Sequence, residues 1–219
     1  MCSKRVFNAR PNPTRHAIAE SALRLFAERG VENTTMRQIV DAAGISLGTV
    51  NFHYGSKLGL AQEVLERLSK EVRDARFAEY DALEAAAGDK PVDLRDLFRA
   101  LIRPYVEGDE HARLLVIYIL QQLKLASVGK PELTTASIIT YFDEVAHRTV
   151  QMAKKARPHL SDADIWWRYS LGLGAVLSAV SDCGPNNRLA RLSEGMADAS
   201  DRQKLVEESI KFWVKGFDT

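Results

Sequence analysis

Cysteine and long apolar runs are both scarce in this sequence. The 219 residues include two cysteines, Cys2 and Cys183, and neither belongs to a CxxC pair or to a cluster with histidine. Neither a disulfide framework nor a structural zinc site is therefore expected. The most apolar segment, residues 171–180, is far shorter than the roughly 20 residues that span a bilayer, and the N-terminus lacks the apolar stretch of a signal peptide. These absences predict a cytoplasmic protein with no membrane partner.

No charge of one sign dominates the chain either. Thirty Lys and Arg against 29 Asp and Glu leave a formal net charge of +1, which excludes a chain that is polybasic throughout. The charges are unevenly placed, because residues 1–60 hold eight basic and four acidic side chains and the remainder holds 22 basic and 25 acidic ones. A basic N-terminal quarter followed by a mildly acidic body is typical of a polyanion-binding module joined to a second part.

The sequence contains none of the common motifs of catalysis or metal binding. There is no Gly-rich phosphate loop, no HExxH and no GxSxG, and the five histidines are scattered without metal-ligand spacing. Glu107, Asp109, Glu110 and His111 cluster at an apparent helix junction, where a capped, solvated loop accounts for them better than a metal ion. We therefore expect no enzyme activity, no cofactor and no metal site.

Apolar residues recur at helical spacing from Asn12 onward, and no segment alternates as a strand would. In the first predicted helix, which ends at Gly30, they are Ile18, Ala22, Leu25 and Phe26. Cap and glycine patterns place later helices at about 35–43, at 46–53, from Ser56 onward, and at 92–107, 110–128, 131–156, 162–183 and 201–216. Long loops are expected around 88–91 and at 184–200. The sequence thus predicts an all-α fold, with a domain at 1–57 and a larger helical bundle at 58–219.

Two of the short predicted helices form a helix-turn-helix. They meet at Gly44-Ile45, behind a first helix that packs across both, and a Thr35-to-Gln38 capping box opens the earlier one. Residues 42–44 are small enough for close helix approach, and Ile39, Ile45 and Val50 are expected to face the first helix. Residues 46–49 of the later helix are small or apolar, as a helix that enters the major groove requires. On spacing alone, a helical hairpin that does not bind DNA is equally compatible.

The full string of residues 14–60 resembles the DNA-binding domain of the TetR/AcrR transcriptional regulators without a gap. The resemblance is carried by residues 22–30 (ALRLFAERG), 34–39 (TTMRQI), 42–50 (AAGISLGTV) and 52–57 (FHYGSK), and it covers roughly a fifth of the chain. It implies that the start of the second helix touches phosphate, that residues 46–49 face the major groove and that Lys57 pairs with phosphate. The expected DNA-binding residues are Thr35, Met36, Arg37, Ser46, Leu47, Gly48, Thr49, Asn51, Phe52, His53 and Lys57.

Some of these positions leave alternatives open. The family commonly has Tyr where this chain has Asn51, and Asn can either donate to phosphate or reach N6 and N7 of an adenine. His53 lies at the DNA backbone by resemblance, or else it is a capping or packing histidine. Arg5, Arg10 and Arg15 form an N-terminal arm that either enters the minor groove or is a solubilising tail.

The resemblance also implies a function for the rest of the chain. In this family the last two helices pair with those of a second copy, and here small and large apolar residues would supply the homodimer interface, although an intramolecular core helix is the alternative. The expected interface residues are Leu171, Gly172, Ala175, Ala179, Ile210 and Trp213. The middle helices would form an apolar pocket with a few polar groups for a small-molecule effector. The candidate ligand-binding residues are Tyr118, Gln121, Gln122, Tyr141, His147 and Arg148.

The function expected from these features is that of a ligand-responsive DNA-binding transcriptional regulator. It would act as a repressor that binds a palindromic double-stranded DNA operator as a homodimer, and an apolar or amphipathic ligand would release it. The alternative is a helical adaptor that binds protein and lacks salt-dependent affinity for DNA.

Overall fold

The computed structural model describes residues 13–107, 114, 117, 135–182 and 187–218. Within these ranges every regular element is a helix, which confirms the predicted all-α fold. The helices are α1 (Pro13–Arg29), α2 (Met36–Ala43), α3 (Leu47–Tyr54), α4 (Lys57–Ala87), α5 (Leu94–Val106), α6 (Thr135–Ala156), α7 (Asp162–Ser181), α8 (Arg188–Leu192) and α9 (Arg202–Phe217). Of the helices described, none is long and apolar enough to cross a membrane.

Most helix ends lie where the cap patterns predict them. Thr35 and Gln38 form both bonds of the capping box of α2, and Ser161 caps α7 by accepting from the Asp164 N–H at 3.1 Å. The predicted loop at 184–200 is wrong in part, because α8 lies inside it. Its first N–H groups are bound by Asp182, which accepts from Arg188 and Leu189 at 2.9 and 2.6 Å. A helix of five residues is too short for apolar periodicity to show.

The chain divides into two compact units between Leu65 and Glu66, inside α4. The predicted boundary at 57/58 lies eight residues earlier. The difference arises because the first turns of α4 contribute buried residues to the N-terminal unit: Leu60, Ala61, Val64 and Leu65. In α1 the fully buried face includes Leu23, whereas Leu25, one of the apolar residues at helical spacing, is half-buried.

Trp213 lies at the centre of the C-terminal unit. Its indole stacks on Phe98 of α5 with ring centroids 4.4 Å apart, and its Nε1–H donates to the Arg168 carbonyl of α7 at 3.0 Å. Helices α5, α7 and α9 therefore meet at one aromatic residue. The backbone of Gly172 on α7 lies against the face of this indole, so that a Cβ at residue 172 would be 2.2 Å from Trp213 Nε1. The absence of a side chain at residue 172 is what allows α7 to approach α9 here.

Arg76 of α4 is fully buried in the same unit. Its Nε–H donates to the Leu101 carbonyl of α5 at 3.0 Å, and its guanidinium lies 4.0 Å from the centre of the Tyr105 ring. Pro104 interrupts the hydrogen-bond ladder of α5 in this turn. The arginine therefore ties α4 to the part of α5 whose backbone bonding the proline weakens.

Tyr80 is a buried hydroxyl with a defined partner. It lies 2.8 Å from Thr149 Oγ1, which itself donates to the Val145 carbonyl at 2.8 Å, so the tyrosine is the donor in the first bond. Burial raises the pKa of Tyr80 from 10.0 to about 12. The folded protein therefore holds this proton more tightly than the unfolded chain does.

The raised pKa of Tyr80 predicts a loss of stability in alkali. The contribution of Tyr80 to the free energy of unfolding is fully present below pH 10. As the pH rises from 10 toward 12 it declines by up to about 1.4 kcal/mol per pH unit, because only the tyrosine of the unfolded chain ionises in this range. Against Tyr80→Phe, which removes one hydrogen bond worth about 1 kcal/mol, the wild type should be more stable at pH 8 and lose that advantage near pH 11. Urea unfolding of both proteins from pH 8 to 11 measures this. A constant difference in the free energy of unfolding would contradict it.

Candidate nucleic-acid interface

The N-terminus of α2 presents backbone donors and a cation at the surface. Thr35 Oγ1 accepts from the Gln38 N–H at 3.2 Å, and Gln38 Oε1 accepts from the Thr35 N–H at 2.8 Å. This reciprocal capping fixes the first turn and leaves the N–H groups of Met36 and Arg37 directed out of the helix. Arg37 is exposed and has no ion-pair partner among the described residues. Free N–H groups at the positive end of a helix, beside a free guanidinium, can bind a phosphate.

The turn between α2 and α3 depends on Gly44. This residue has φ +66°, the left-handed region, and its N–H bonds to the last carbonyls of α2. Ser46 then caps α3, because its Oγ accepts from the Thr49 N–H at 3.3 Å and lies 2.9 Å from Thr49 Oγ1. The hydroxyls of Ser46 and Thr49 are therefore bonded to each other at the start of α3.

The buried and exposed sides of α3 are clearly separated. Val50 is fully buried, as predicted from the sequence, whereas Phe52, which lies roughly on the opposite side of the helix, is 86% exposed. Gly48 is one turn before Phe52 on the same outward side and is also exposed. Leu47 is 44% exposed at the beginning of the helix. Asn51 lies within α3, and its side chain is outside the described part of the structure.

A chain of aromatic rings joins the exposed side of α3 to α1. The His53 ring lies 5.3 Å from the Phe52 ring and 6.3 Å from the Tyr54 ring, centroid to centroid. The Tyr54 hydroxyl donates to the Arg15 carbonyl at 3.3 Å. The Arg15 guanidinium lies over the Tyr54 ring and pairs with Glu63 at 2.6 Å, and the interactions of this side chain with Tyr54 and with Glu63 raise the pKa of Arg15. Half-buried His53 therefore lies between the rings of its two neighbours in the chain.

Arg15 is the member of the predicted N-terminal arm that the structure describes; Arg5 and Arg10 lie outside the described residues. Its guanidinium is held by Glu63 of α4 within the same unit, so the structure gives it a role in joining α1 to α4.

Lys57 is the first residue of α4, where its Nζ donates to the Glu32 carbonyl at 3.0 Å. Ser56 caps this helix by accepting from the Gly59 N–H at 3.0 Å, as the sequence predicts. Gly59 was not singled out from the sequence, yet a Cβ there would lie 2.7 Å from the Tyr54 carbonyl oxygen. Its close approach sets the angle between α3 and α4, and a lone glycine near a helix start carries no sequence signal for that.

The structure describes three of the six candidate ligand-binding residues. Tyr118, Gln121 and Gln122 lie outside the described residues. Tyr141 is half-buried and donates to Glu66 at 3.4 Å, and His147 is exposed with its Nδ1 2.7 Å from the Asp143 carbonyl.

Arg148, the third described candidate, already has two carboxylate partners. Its Nη2 lies 2.5 Å from Asp81 and 2.8 Å from Glu84, both on α4, and this contact lowers the pKa of Glu84. Asp81 and Glu84 thus already bind the guanidinium that was a candidate for contact with a ligand. Arg148 joins α6 to α4.

The six predicted interface residues lie on two different sides of α7 and α9. Gly172, Ile210 and Trp213 are buried inside their own chain, because α7, α9 and α5 pack on one another through them. Leu171 is 66% exposed, Ala175 is exposed and Ala179 is half-buried. Two large exposed residues extend this surface, namely Trp167 on α7 and Phe212 on α9. Trp167 was missed because apolar periodicity along α7 does not tell its inner side from its outer side.

A groove runs between the exposed sides of α7 and α9. It has a volume of about 330 Å³ and is lined by Arg168, Leu171, Gly172, Phe212, Trp213, Lys215 and Gly216. Leu171, Phe212 and Trp213 give it an apolar wall, beside the basic residues Arg168 and Lys215. We name this surface, with Trp167, the α7/α9 face.

Comparison with known proteins gives matches over both units. The family model described as "Bacterial regulatory proteins, tetR family" matches residues 18–64, and that described as "Tetracyclin repressor-like, C-terminal domain" matches residues 99–216, more than half of the chain. The chain is similar to the HTH-type transcriptional repressor KstR2 of Mycobacterium tuberculosis, with 33% identity over 116 residues, 53% of this chain and 54% of the relative. The match therefore spans about half the length of that relative. KstR2 of Rhodococcus jostii is 27% identical over 151 residues, 69% of this chain and 70% of the relative.

Solved structures show the same fold. The ketosteroid transcriptional regulator KstR2 of M. tuberculosis superposes with a TM-score of 0.65 at 23% identity, covering 94% of this chain and 96% of the other. The fatty acid degradation regulator FadR from Bacillus halodurans gives a TM-score of 0.62 at 14% identity, covering 94% and 97%. The capped helix-turn-helix, the helical second unit and the two family matches lead to one conclusion: the chain belongs to the tetR family of bacterial regulatory proteins.

Proposed function

We propose that this protein is a DNA-binding transcriptional repressor that acts on a palindromic operator. The observation that carries the proposal is the helix-turn-helix of α2 and α3, which exposes the capped N-terminus of α2 with Arg37 and the outward side of α3 with Gly48 and Phe52. The N-terminus of α2 with Arg37 can bind phosphate, and the outward side of α3 can enter the major groove. The relatives that it matches are named transcriptional repressors, which supports repression over activation. Such a protein acts in the cytoplasm, where bacterial DNA lies.

The proposed repressor is a homodimer joined through the α7/α9 face. Exposed Trp167, Leu171 and Phe212 would be removed from water by pairing with the same surface of a second copy, which gives an interface with two-fold symmetry. One helix-turn-helix contacts only a few base pairs, and two related by a two-fold axis recognise the two halves of a palindrome. The DNA-binding residues expected from the sequence then act once in each half-site.

The proposed effector is a small apolar or amphipathic molecule that binds the C-terminal unit. Two structural neighbours carry names that refer to ketosteroids and to fatty acid degradation, and both kinds of metabolite are largely apolar. Arg148 is not expected to meet a ligand carboxylate, because its own chain supplies two. An effector that lowers operator affinity must itself bind more weakly to the DNA-bound protein, by the same factor.

Arg37 supplies the test of DNA binding. Selection of bound duplexes from a random pool defines the operator, and its affinity is then measured at several salt concentrations. We expect Arg37→Gln to weaken binding to all sequences and to reduce the slope of log affinity against log salt by about 1, because one phosphate contact is lost. The matched control is Arg99→Gln, which removes an exposed arginine of the C-terminal unit that, like Arg37, has no ion-pair partner among the described residues, and it should leave the slope unchanged. Failure to select any duplex would overturn the proposal and favour a protein-binding adaptor.

A further inference from the structure

Phe52 is the most exposed large apolar side chain among the described residues. It is 86% exposed, and its one ring contact is to His53, its neighbour in the chain. A phenyl ring in this position contributes almost nothing to the core of the N-terminal unit, to which α3 contributes Val50 from its opposite side. The fold therefore does not explain why residue 52 is aromatic.

The groups around Phe52 offer few hydrogen bonds to base edges. Helix α3, with the sequence LGTVNFHY, contains no lysine, arginine, glutamine or carboxylate. The hydroxyls of Ser46 and Thr49 are bonded to each other, and Gly48 has no side chain. Leu47 at the start of the helix is a second partly exposed apolar residue. Apart from Asn51, the outward side of this helix is suited to apolar contact.

The major groove displays one apolar group, the C5-methyl of thymine. Polar edges of guanine, cytosine and adenine would lose water against a phenyl ring without gaining a hydrogen bond. Gly48 lies one turn before Phe52 on the same side, and a Cβ there would meet only Ser46 Oγ at 3.8 Å, so this part of α3 is open to an approaching duplex.

From these observations we propose that Phe52 selects thymine, by packing its ring on the C5-methyl of one thymine in each half-site. This inference rests on the proposed DNA-binding function and adds a base preference to it. The contact is apolar, so it distinguishes thymine from uracil, which pairs identically and lacks only the methyl group.

The experiment compares thymine with deoxyuridine in the operator. Each thymine of the selected half-site is replaced in turn, and affinity is measured for the wild type, Phe52→Ala and Leu47→Ala. We expect one position at which deoxyuridine weakens wild-type binding about fourfold per half-site, the equivalent of one buried methyl group. At that position Phe52→Ala should bind thymine and deoxyuridine equally. Leu47→Ala is the matched control for loss of an apolar side chain from α3. It should still bind the thymine operator more tightly than the deoxyuridine operator at that position.

The outcomes separate this inference from the function on which it rests. If no duplex is selected, DNA binding itself fails. If a duplex is selected but contains no thymine sensitive to methyl removal, or if Phe52→Ala keeps the same sensitivity, then DNA binding stands and the role of Phe52 is overturned. A further outcome is that Phe52→Ala lowers the affinity for the thymine operator and for each deoxyuridine operator by the same factor relative to the wild type. That result would indicate that the ring contacts the sugar-phosphate backbone, and it would also overturn the inference. Because residue 52 is exposed, Phe52→Ala should melt at the wild-type temperature, and Phe52→Tyr should keep the thymine preference.

Discussion

Replacing Gly172 with alanine is expected to lower the free energy of unfolding by about 3 kcal/mol, although it adds a single methyl group. The added Cβ would lie 2.2 Å from Nε1 and 2.3 Å from Cε2 of Trp213. The indole is held in place by its stacking on Phe98 at 4.4 Å and by the bond from its N–H to the Arg168 carbonyl, and both contacts would be lost if it moved. Helices α7 and α9 would have to separate, which opens the core on both sides of Trp213. Urea unfolding measures the effect.

The matched control for this change lies two residues along the same helix. A Cβ at Gly174 would meet no atom within 4 Å, so Gly174→Ala should leave stability unchanged or raise it by up to about 1 kcal/mol, the helix propensity difference. A double-mutant cycle then tests the cause. Trp213→Phe should cost much less in the Gly172→Ala background than in the wild type, because the smaller ring relieves the clash. Additive costs would show that the methyl group acts elsewhere.

The second large effect is expected at the α7/α9 face. Phe212→Glu replaces a large apolar side chain of the groove with a carboxylate, which pairing with a second copy would have to remove from water. We expect a monomer by sedimentation velocity and a loss of operator affinity on the order of 100-fold, because each helix-turn-helix must then bind its half-site alone. Stability of the isolated chain should change little, since the side chain is 65% exposed.

Leu192→Glu provides the control for the dimer prediction. Leu192 is also a large exposed apolar residue, but it lies on α8, outside the α7/α9 face. The variant should remain a dimer with wild-type affinity for the operator. A dimer that persists in both Phe212→Glu and Leu171→Glu would place the interface on another surface.

The sequence was most informative where structure depends on neighbouring residues. The capping box at Thr35 and Gln38, the left-handed Gly44 and the serine caps all involve bonds that span five residues or fewer, so their pattern is visible in the string itself. The same locality explains why the helix-turn-helix could be placed residue by residue. It also explains the omission of α8, whose N-terminus is held by Asp182 and which is too short to show a period.

The candidate ligand and dimer residues were harder to assign because their roles depend on distant partners. Arg148 is separated from Asp81 and Glu84 by 67 and 64 residues, and no spacing rule indicates that these carboxylates occupy its guanidinium. Gly172 belongs to a row of small residues that suits contact between two chains as well as contact within one. Its indole partner lies 41 residues away on α9, a pairing that the row itself does not specify.

The sequence alone therefore determined the all-α class, the helix-turn-helix with its caps, and the similarity to one family of regulators, because helix periodicity and capping are encoded within one or two turns. The tertiary structure decided which sides of α7 and α9 are buried and how far α3 is exposed. Packing left Phe52 almost fully exposed, buried Gly172 against Trp213, and exposed Leu171 and Phe212 as a surface suited to a second copy. Those choices depend on the volumes and charges that meet when helices far apart in the chain come together, and a one-dimensional pattern does not contain them.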